Sequence, residues 1–189
     1  MNLKNIYLLI FICGTFLLVL SSAGMVFAIN EGNINNGDKV DGYYEYEHPY
    51  IQELSNNITK NLKLSTRIEI VKAVYMWMQK HVVYEKPMYY GSEHYAVETA
   101  KLGKGNCCDQ ARLFIALCRA AGIPHNATEF HYSNAIQFKG GNNYGHVWPV
   151  IKLENGTRII CDTSSRSSTY GHPSWKNKGT VTESFNLKI

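Results

Sequence analysis

Apolar residues recur at helical spacing from His48 onward and at a period of two beyond Pro124. Ile51, Leu54, Ile58 and Leu62 make a narrow helical stripe. Thr66, with Glu69 three residues on, reads as a capping box. It opens a second helix on Val71, Val74, Tyr75, Met78 and Val82, its face widened by Trp77 as core. Residues 84–92, with Pro87, Gly91 and three tyrosines, read as a loop. A short helix over 93–101 follows, with Ser92 as its cap. Gly103-Lys104-Gly105 then turns into a central helix over 107–121. Asn106 is its N-cap and Asp109 a carboxylate suited to its first turn. Ala111, Phe114, Ile115, Cys118 and Ala121 give it the wide apolar face of a helix packed inside a domain, and Gly122 and Pro124 end it.

Thr128, Phe130 and Tyr132 then alternate with Glu129 and His131, and 135–138 is a second short stretch. Residues 145–153 and 157–163 predict a hairpin around Asn155-Gly156, and 181–189 a final strand. Helices first and strands later predict an α+β domain, with helices packed on an antiparallel sheet.

The N-terminus stands apart. Lys4 and the amino terminus supply a positive end, 6–20 is a nearly unbroken apolar run, and Val26-Phe27-Ala28 offers a small-residue cleavage site. Residues 1–28 therefore read as a signal peptide or as an N-terminal membrane anchor, since 6–29 is long enough to span a bilayer. In both cases the positive end stays inside, which predicts an extracellular or cell-surface protein, secreted or attached through residues 6–29. Residues 29–47, rich in Asn, Gly and acidic groups, read as a flexible linker, leaving 48–189 as the folded domain.

Composition narrows this further. A chain of 189 residues, 45% apolar, suits one domain plus a leader. The net charge of +4 comes without a Lys/Arg cluster, so nucleic acid is not an expected partner. Cys13 lies in the leader; of the remaining cysteines Cys107 and Cys108 are adjacent and share a helix with Cys118, leaving Cys161. That arrangement argues against a disulfide framework, and its spacing against structural zinc. No acidic cluster suggests calcium. Neither a metal nor a cofactor is expected.

Candidate chemistry lies in Gly105-Asn106-Cys107-Cys108-Asp109, Gly145-His146-Val147-Trp148 and Cys161-Asp162-Thr163. A thiol becomes a strong nucleophile at neutral pH when a helix N-terminus or a nearby base lowers its pKa. Cys107 is the first residue of the central helix and shares the face of Ala111, Phe114 and Cys118, which favours it over Cys108. Its own N–H is available to an oxyanion; Asn106 or a loop tyrosine is the candidate second donor. A two-residue turn at Asn155-Gly156 would place Asp162 on the sheet face opposite His146. A three-residue Glu154-Asn155-Gly156 loop with Gly156 left-handed, or a bulge at Pro149, pairs Trp148 with Asp162 and makes His146 and Asp162 diagonal neighbours. One of these two irregularities is therefore predicted. Taken singly, Cys107 reads equally as a core thiol, His146 as a satisfied strand histidine and Asp162 as a turn residue; their order and shared face favour a Cys-His-Asp triad. Tyr89 and Tyr90 in the loop either border a substrate groove or pack; Tyr144 and Trp148 beside the histidine are the other groove candidates.

The run Gly-Asn-Cys107-x-Asp109-x-Ala111 continuing through Leu113 to Pro124 resembles the nucleophile helix of the transglutaminase-like superfamily, and the His146 and Asp162 segments resemble its other two motifs. Within it, Tyr144-Gly145-His146-Val147-Trp148 and Asp162-Thr163-Ser164-Ser165-Arg166 are most similar to the pseudomurein endoisopeptidases and related surface proteins of methanogenic archaea. The resemblance implies a papain-like cysteine peptidase fold with the nucleophile at the N-terminus of the central helix, in which Cys107 attacks an acyl carbon, His146 shuttles the proton and Asp162 holds the imidazole. It also implies an exported thiol hydrolase acting on peptide or isopeptide bonds of the cell envelope. A protein-glutamine transglutaminase, with an amine as acceptor, and a non-catalytic wall-adhesion module retaining the fold are the alternatives. No repeats are seen in residues 1–47, so the wall-binding modules of such enzymes are not expected there.

Overall fold

The computed structural model describes residues 45–62, 66–87, 91 and 93–185. The apolar run 6–29 lies outside them; among the described residues no helix is long and apolar enough to cross a membrane. The first described element is the 3-10 turn Glu45–Glu47, inside the stretch read as linker. Glu45 is buried there, accepting the amides of Ala96 at 2.7 Å and Val97 at 3.4 Å.

Helix α1, Pro49–Thr59, is capped by His48, whose Nδ1 accepts the amide of Tyr50 at 3.1 Å. Helix α2, Arg67–His81, carries the predicted capping box, with Thr66 and Glu69 each accepting the other's amide. A two-residue strand β1, Val83–Tyr84, follows. Helix α3, Ala96–Leu102, starts three residues later than the sequence pattern places it. Ser92 lies outside the described residues, and Tyr95 at the N-cap makes no side-chain bond. The carboxylate of Glu45 caps this helix from 51 residues away, a signal that no local pattern carries.

Strand β2, Lys104–Gly105, pairs in parallel with β1 and leads into α4, Cys107–Ala120. Helix α4 is the axis of the domain and contacts α1, α2, α3 and the sheet. Leu113, Phe114, Ile115 and Leu117 are fully buried against Ile51, Val71, Val74 and Met78. Each such side chain contributes about 1.5–3 kcal/mol by leaving water, which is why a helix with only moderate local propensity is fixed so firmly.

The sheet is antiparallel, in the order β5-β4-β3-β6, with β7 also on β3: β3 Thr128–Gln137, β4 Asn143–Lys152, β5 Arg158–Ile160, β6 Lys176–Asn177 and β7 Thr182–Ser184. Strand β3 is one strand with an irregularity between Ser133 and Ile136, where the alternation had suggested two stretches. The sheet has two distinct faces. Val147 and Ile151 join Phe130 and the helices; Trp148 and Val150 join Ile136 and Trp175 in a second, smaller cluster. Alternation puts His146 on the face of Trp148 and Val150.

Candidate active site

The first turn of α4 is held by two buried side chains. Asn106 Oδ1 accepts the amides of Cys108 at 2.8 Å and Asp109 at 3.2 Å, while Asp109 Oδ2 accepts the amide of Asn106 at 3.0 Å. The other oxygen of Asp109 takes the amides of Glu93 and His94, both at 2.9 Å, pinning the preceding loop to the helix start. Gly105 is required by close approach: a Cβ there would sit 2.8 Å from Asp109 Cβ. Asn106 leaves the amide of Cys107 to whatever lies before the helix, at the positive end of the dipole.

His146 and Asp162 are brought together by the hairpin. Lys152 pairs with Arg158, and the Leu153 amide donates to the Thr157 carbonyl at 2.8 Å, so the loop is the three residues Glu154, Asn155 and Gly156, with Gly156 at φ +85°. This is the first of the two predicted irregularities. The register continues to Pro149, whose carbonyl accepts the amide of Cys161 at 2.9 Å, and sets Asp162 on the face of His146. There Nε2–H of His146 donates to Oδ2 of Asp162 at 3.1 Å, both residues being buried. Nδ1 is thereby left as the ring nitrogen for Cys107.

Of the two adjacent thiols, Cys107 is half-buried and meets His146, whereas Cys108 belongs to the core. The Cys107 thiol is held well below its ordinary range by a hydrogen bond from Cys108; burial opposes this, and a hydrogen bond and the positive charge from His146, with the amide of Val147, reinforce it. Cys108 is pushed up by the same contact and stays protonated. For His146, burial disfavours the charged ring, but the bonds to Asp162 and Cys107 and their charges outweigh it and raise its pKa to about 9. Asp162 likewise overcomes burial through His146, Trp175 and Ser164 and lies below the usual carboxylate value. These shifts all favour a thiolate beside an imidazolium beside a carboxylate, an arrangement that can attack an acyl carbon and protonate a leaving amine.

The other residues singled out in the sequence fare differently. Asn106 serves as the cap of α4, and its Nδ2 donates to Gly91 O at 2.8 Å. Trp148 is buried and stacks behind His146 with ring centroids 6.0 Å apart; it is an inner wall and not a groove surface. Tyr144 is exposed on the same strand face, beside Phe138. Tyr89 and Tyr90 lie outside the described residues. Tyr84, read as loop, is held in β1; burial and then the charges of Cys107, Cys108 and Asp162 push its phenol up to about 12, so it borders the site as a neutral hydroxyl.

Two contributors were not legible in the sequence. Gln110 spans the site, donating to Gly105 O at 2.9 Å and accepting from Thr163 Oγ1 at 3.2 Å, which ties the nucleophile helix to the Asp162 segment. Trp175 donates its indole N–H to Asp162 Oδ2 at 2.6 Å. Among the described residues, Glu129, His131 and Glu183 bring ligand atoms within 4.8 Å of one another. The guanidinium of Arg158 bonds both carboxylates.

A family model for the transglutaminase-like superfamily matches residues 52–163, over half of the chain. Human kyphoscoliosis peptidase is 26% identical over 106 residues, which are 52% of this chain and 16% of that protein; the mouse protein is 26% identical over 104 residues, 51% of this chain and 15% of its own length. The chain thus spans about a sixth of the curated relatives it matches. Two solved structures share the fold. One is a candidate cysteine protease of Cytophaga hutchinsonii, with a TM-score of 0.50 and 20% identity over 76% of this chain and 50% of that one. The other is EGTA-treated LapG of Legionella pneumophila, with a TM-score of 0.50 and 18% identity over 67% of this chain and 77% of that one. With the matched region running from α1 through Asp162 and Thr163, the chain belongs to the transglutaminase-like superfamily.

Proposed function

We propose that this protein is a thiol-dependent acyl-transfer enzyme working as a cysteine hydrolase. The observation that carries the reading is the continuous line from Cys107 through His146 to Asp162, with the last bond at 3.1 Å. The Cys107 thiolate attacks the acyl carbon, and the oxyanion forms beside the amide of Cys107 at the start of α4. His146 gives its proton to the leaving amine as the thioester forms. It then takes a proton from water, whose oxygen attacks the thioester; the acid leaves and the thiolate returns. Asp162 holds the ring throughout. Hydrolysis, as opposed to transfer to a lysine amine, is supported by the peptidase names of the human and mouse relatives. A substrate in the cell envelope, as a peptide or isopeptide bond, is supported by the apolar run 6–29 and by the resemblance of the His146 and Asp162 motifs to pseudomurein endoisopeptidases.

The test is iodoacetamide alkylation of the full chain in detergent across pH, read site by site by mass spectrometry. Cys107 is expected to alkylate well below the free-thiol pKa of about 8.5, and His146→Ala to slow it about tenfold or more at pH 6. Ordinary reactivity at Cys107, whatever stands at 146, overturns the catalytic reading in favour of an adhesion module. With a peptide and a labelled amine together, fragment release marks the hydrolase and amine incorporation the transglutaminase.

A further inference from the structure

Asp162 receives four donors. Ser164 gives its amide at 3.1 Å and its hydroxyl at 2.8 Å to Oδ1, while His146 at 3.1 Å and Trp175 at 2.6 Å share Oδ2. Trp175 is buried, and its ring stands edge-on to His146 at 5.7 Å and beside Trp148 at 4.8 Å. Phe138 stands edge-on to the imidazole at 5.2 Å, so His146 packs among the rings of Phe138, Trp148 and Trp175. Trp175 itself is anchored on both sides along the chain. Ser174 bonds Ser168 through its amide and Ser165 and Ser167 through its hydroxyl, and Lys176–Asn177 pairs with β3.

We propose that Trp175 is a positioning residue of the site, fixing Asp162 Oδ2 toward His146 by its indole N–H and shielding that bond from water. The inference rests on the catalytic reading of Cys107, His146 and Asp162. Ser164 holds Oδ1 with two donors, and the indole N–H adds to His146 a second donor on Oδ2, so that Oδ2 is held toward the imidazole from a second direction. The other titratable groups around this line are Cys107 and Cys108 from α4, Tyr84 from β1, Tyr75 from α2 and Cys161 beside Asp162; among these, Tyr75 bonds the Asp162 carbonyl and not its carboxylate.

Trp175→Phe keeps an aromatic wall and removes the donor. In the alkylation assay it is expected to raise the apparent pKa of Cys107 by about one unit, with the thermal midpoint reporting separately on folding. An unchanged pH profile in a folded Trp175→Phe protein overturns the proposal, provided the parent chain alkylates at low pH; if the parent does not, it is the catalytic reading that has failed. A second measurement needs no variant. The Trp175 indole proton of the parent, observed by proton–nitrogen NMR, is expected far downfield and moving with pH as the His146–Asp162 pair titrates. An indole resonance at the free-tryptophan position and constant with pH overturns the proposal even if Trp175→Phe does not fold.

Discussion

Asn106 and Asp109 show why the nucleophile motif has the residues it has. Each satisfies amides that the first turn of α4 would otherwise bury unpaired, and together they leave the Cys107 amide out of their reach. Neither touches the reacting atoms; both decide where those atoms sit. Asn106→Ala strips the acceptor from two buried amides and the donor from Gly91, and is expected to cost about 1–2 kcal/mol in urea unfolding. Asn106→Ser, which still offers a capping oxygen, is expected to recover part of that.

At the scale of elements, the β4–β5 hairpin sets the distance between His146 and Asp162, and its loop sets the register. Gly156 at φ +85° permits the three-residue loop. A Cβ there would meet nothing within 4 Å, so the cost of a side chain is conformational and not steric. Gly156→Ala is therefore expected to lose about 1–2 kcal/mol of stability while the Cys107 alkylation profile stays in place. Loss of the profile together with stability would mean that the loop yields and the register slips. Helix α2 supports the same segment from the other side. Tyr75 donates to Ser168 O at 3.1 Å, Gln79 to Thr163 O at 3.2 Å, and Arg166 reaches back to the carbonyls of Gln79 and Val82 at the helix end.

For the whole molecule, the ion pair makes stability depend on pH in a recognisable way. In the fold, His146 is raised to about 9 from an ordinary 6.5, so its contribution is complete below 6.5 and fades as pH rises through 9. The Cys107 thiol is lowered from 9.0, so its contribution grows as pH rises toward 9. Between these limits the folded pair (thiolate and imidazolium) and the unfolded pair (thiol and imidazole) each hold one proton, and stability is expected to be level. Below 6.5 the unfolded histidine takes a second proton and stability falls. Above 9 it falls again, because Cys108, Cys118 and Cys161 are kept protonated by the fold and ionise once it opens. In Cys107→Ser the thiolate's bond and charge are gone and Asp162 alone supports the imidazolium, so stability is expected to decline as pH rises from 6.5, over a narrower range than in a fold that keeps the thiolate. Urea unfolding at three pH values from 6 to 9 compares the two; parallel declining curves would show that no thiolate forms in the fold.

The helical stripes, the Thr66 and Asn106 caps and the α+β order were all written locally; for the hairpin a three-residue loop and a bulge at Pro149 stayed open, and the fold took the loop. Periodicity and capping are properties of near neighbours, and a register can be counted from a turn. The triad segments were legible for the same reason, because each sits at the start or end of such an element. Tertiary structure decided what distant residues do for one another. Glu45 caps α3, β1 and β2 pair through two residues each, Gln110 reaches Thr163, Trp148 turns inward and Trp175 meets Asp162. These are contacts whose partners lie far apart along the chain, and in a two-residue strand or a lone buried tryptophan there is no spacing from which to infer them.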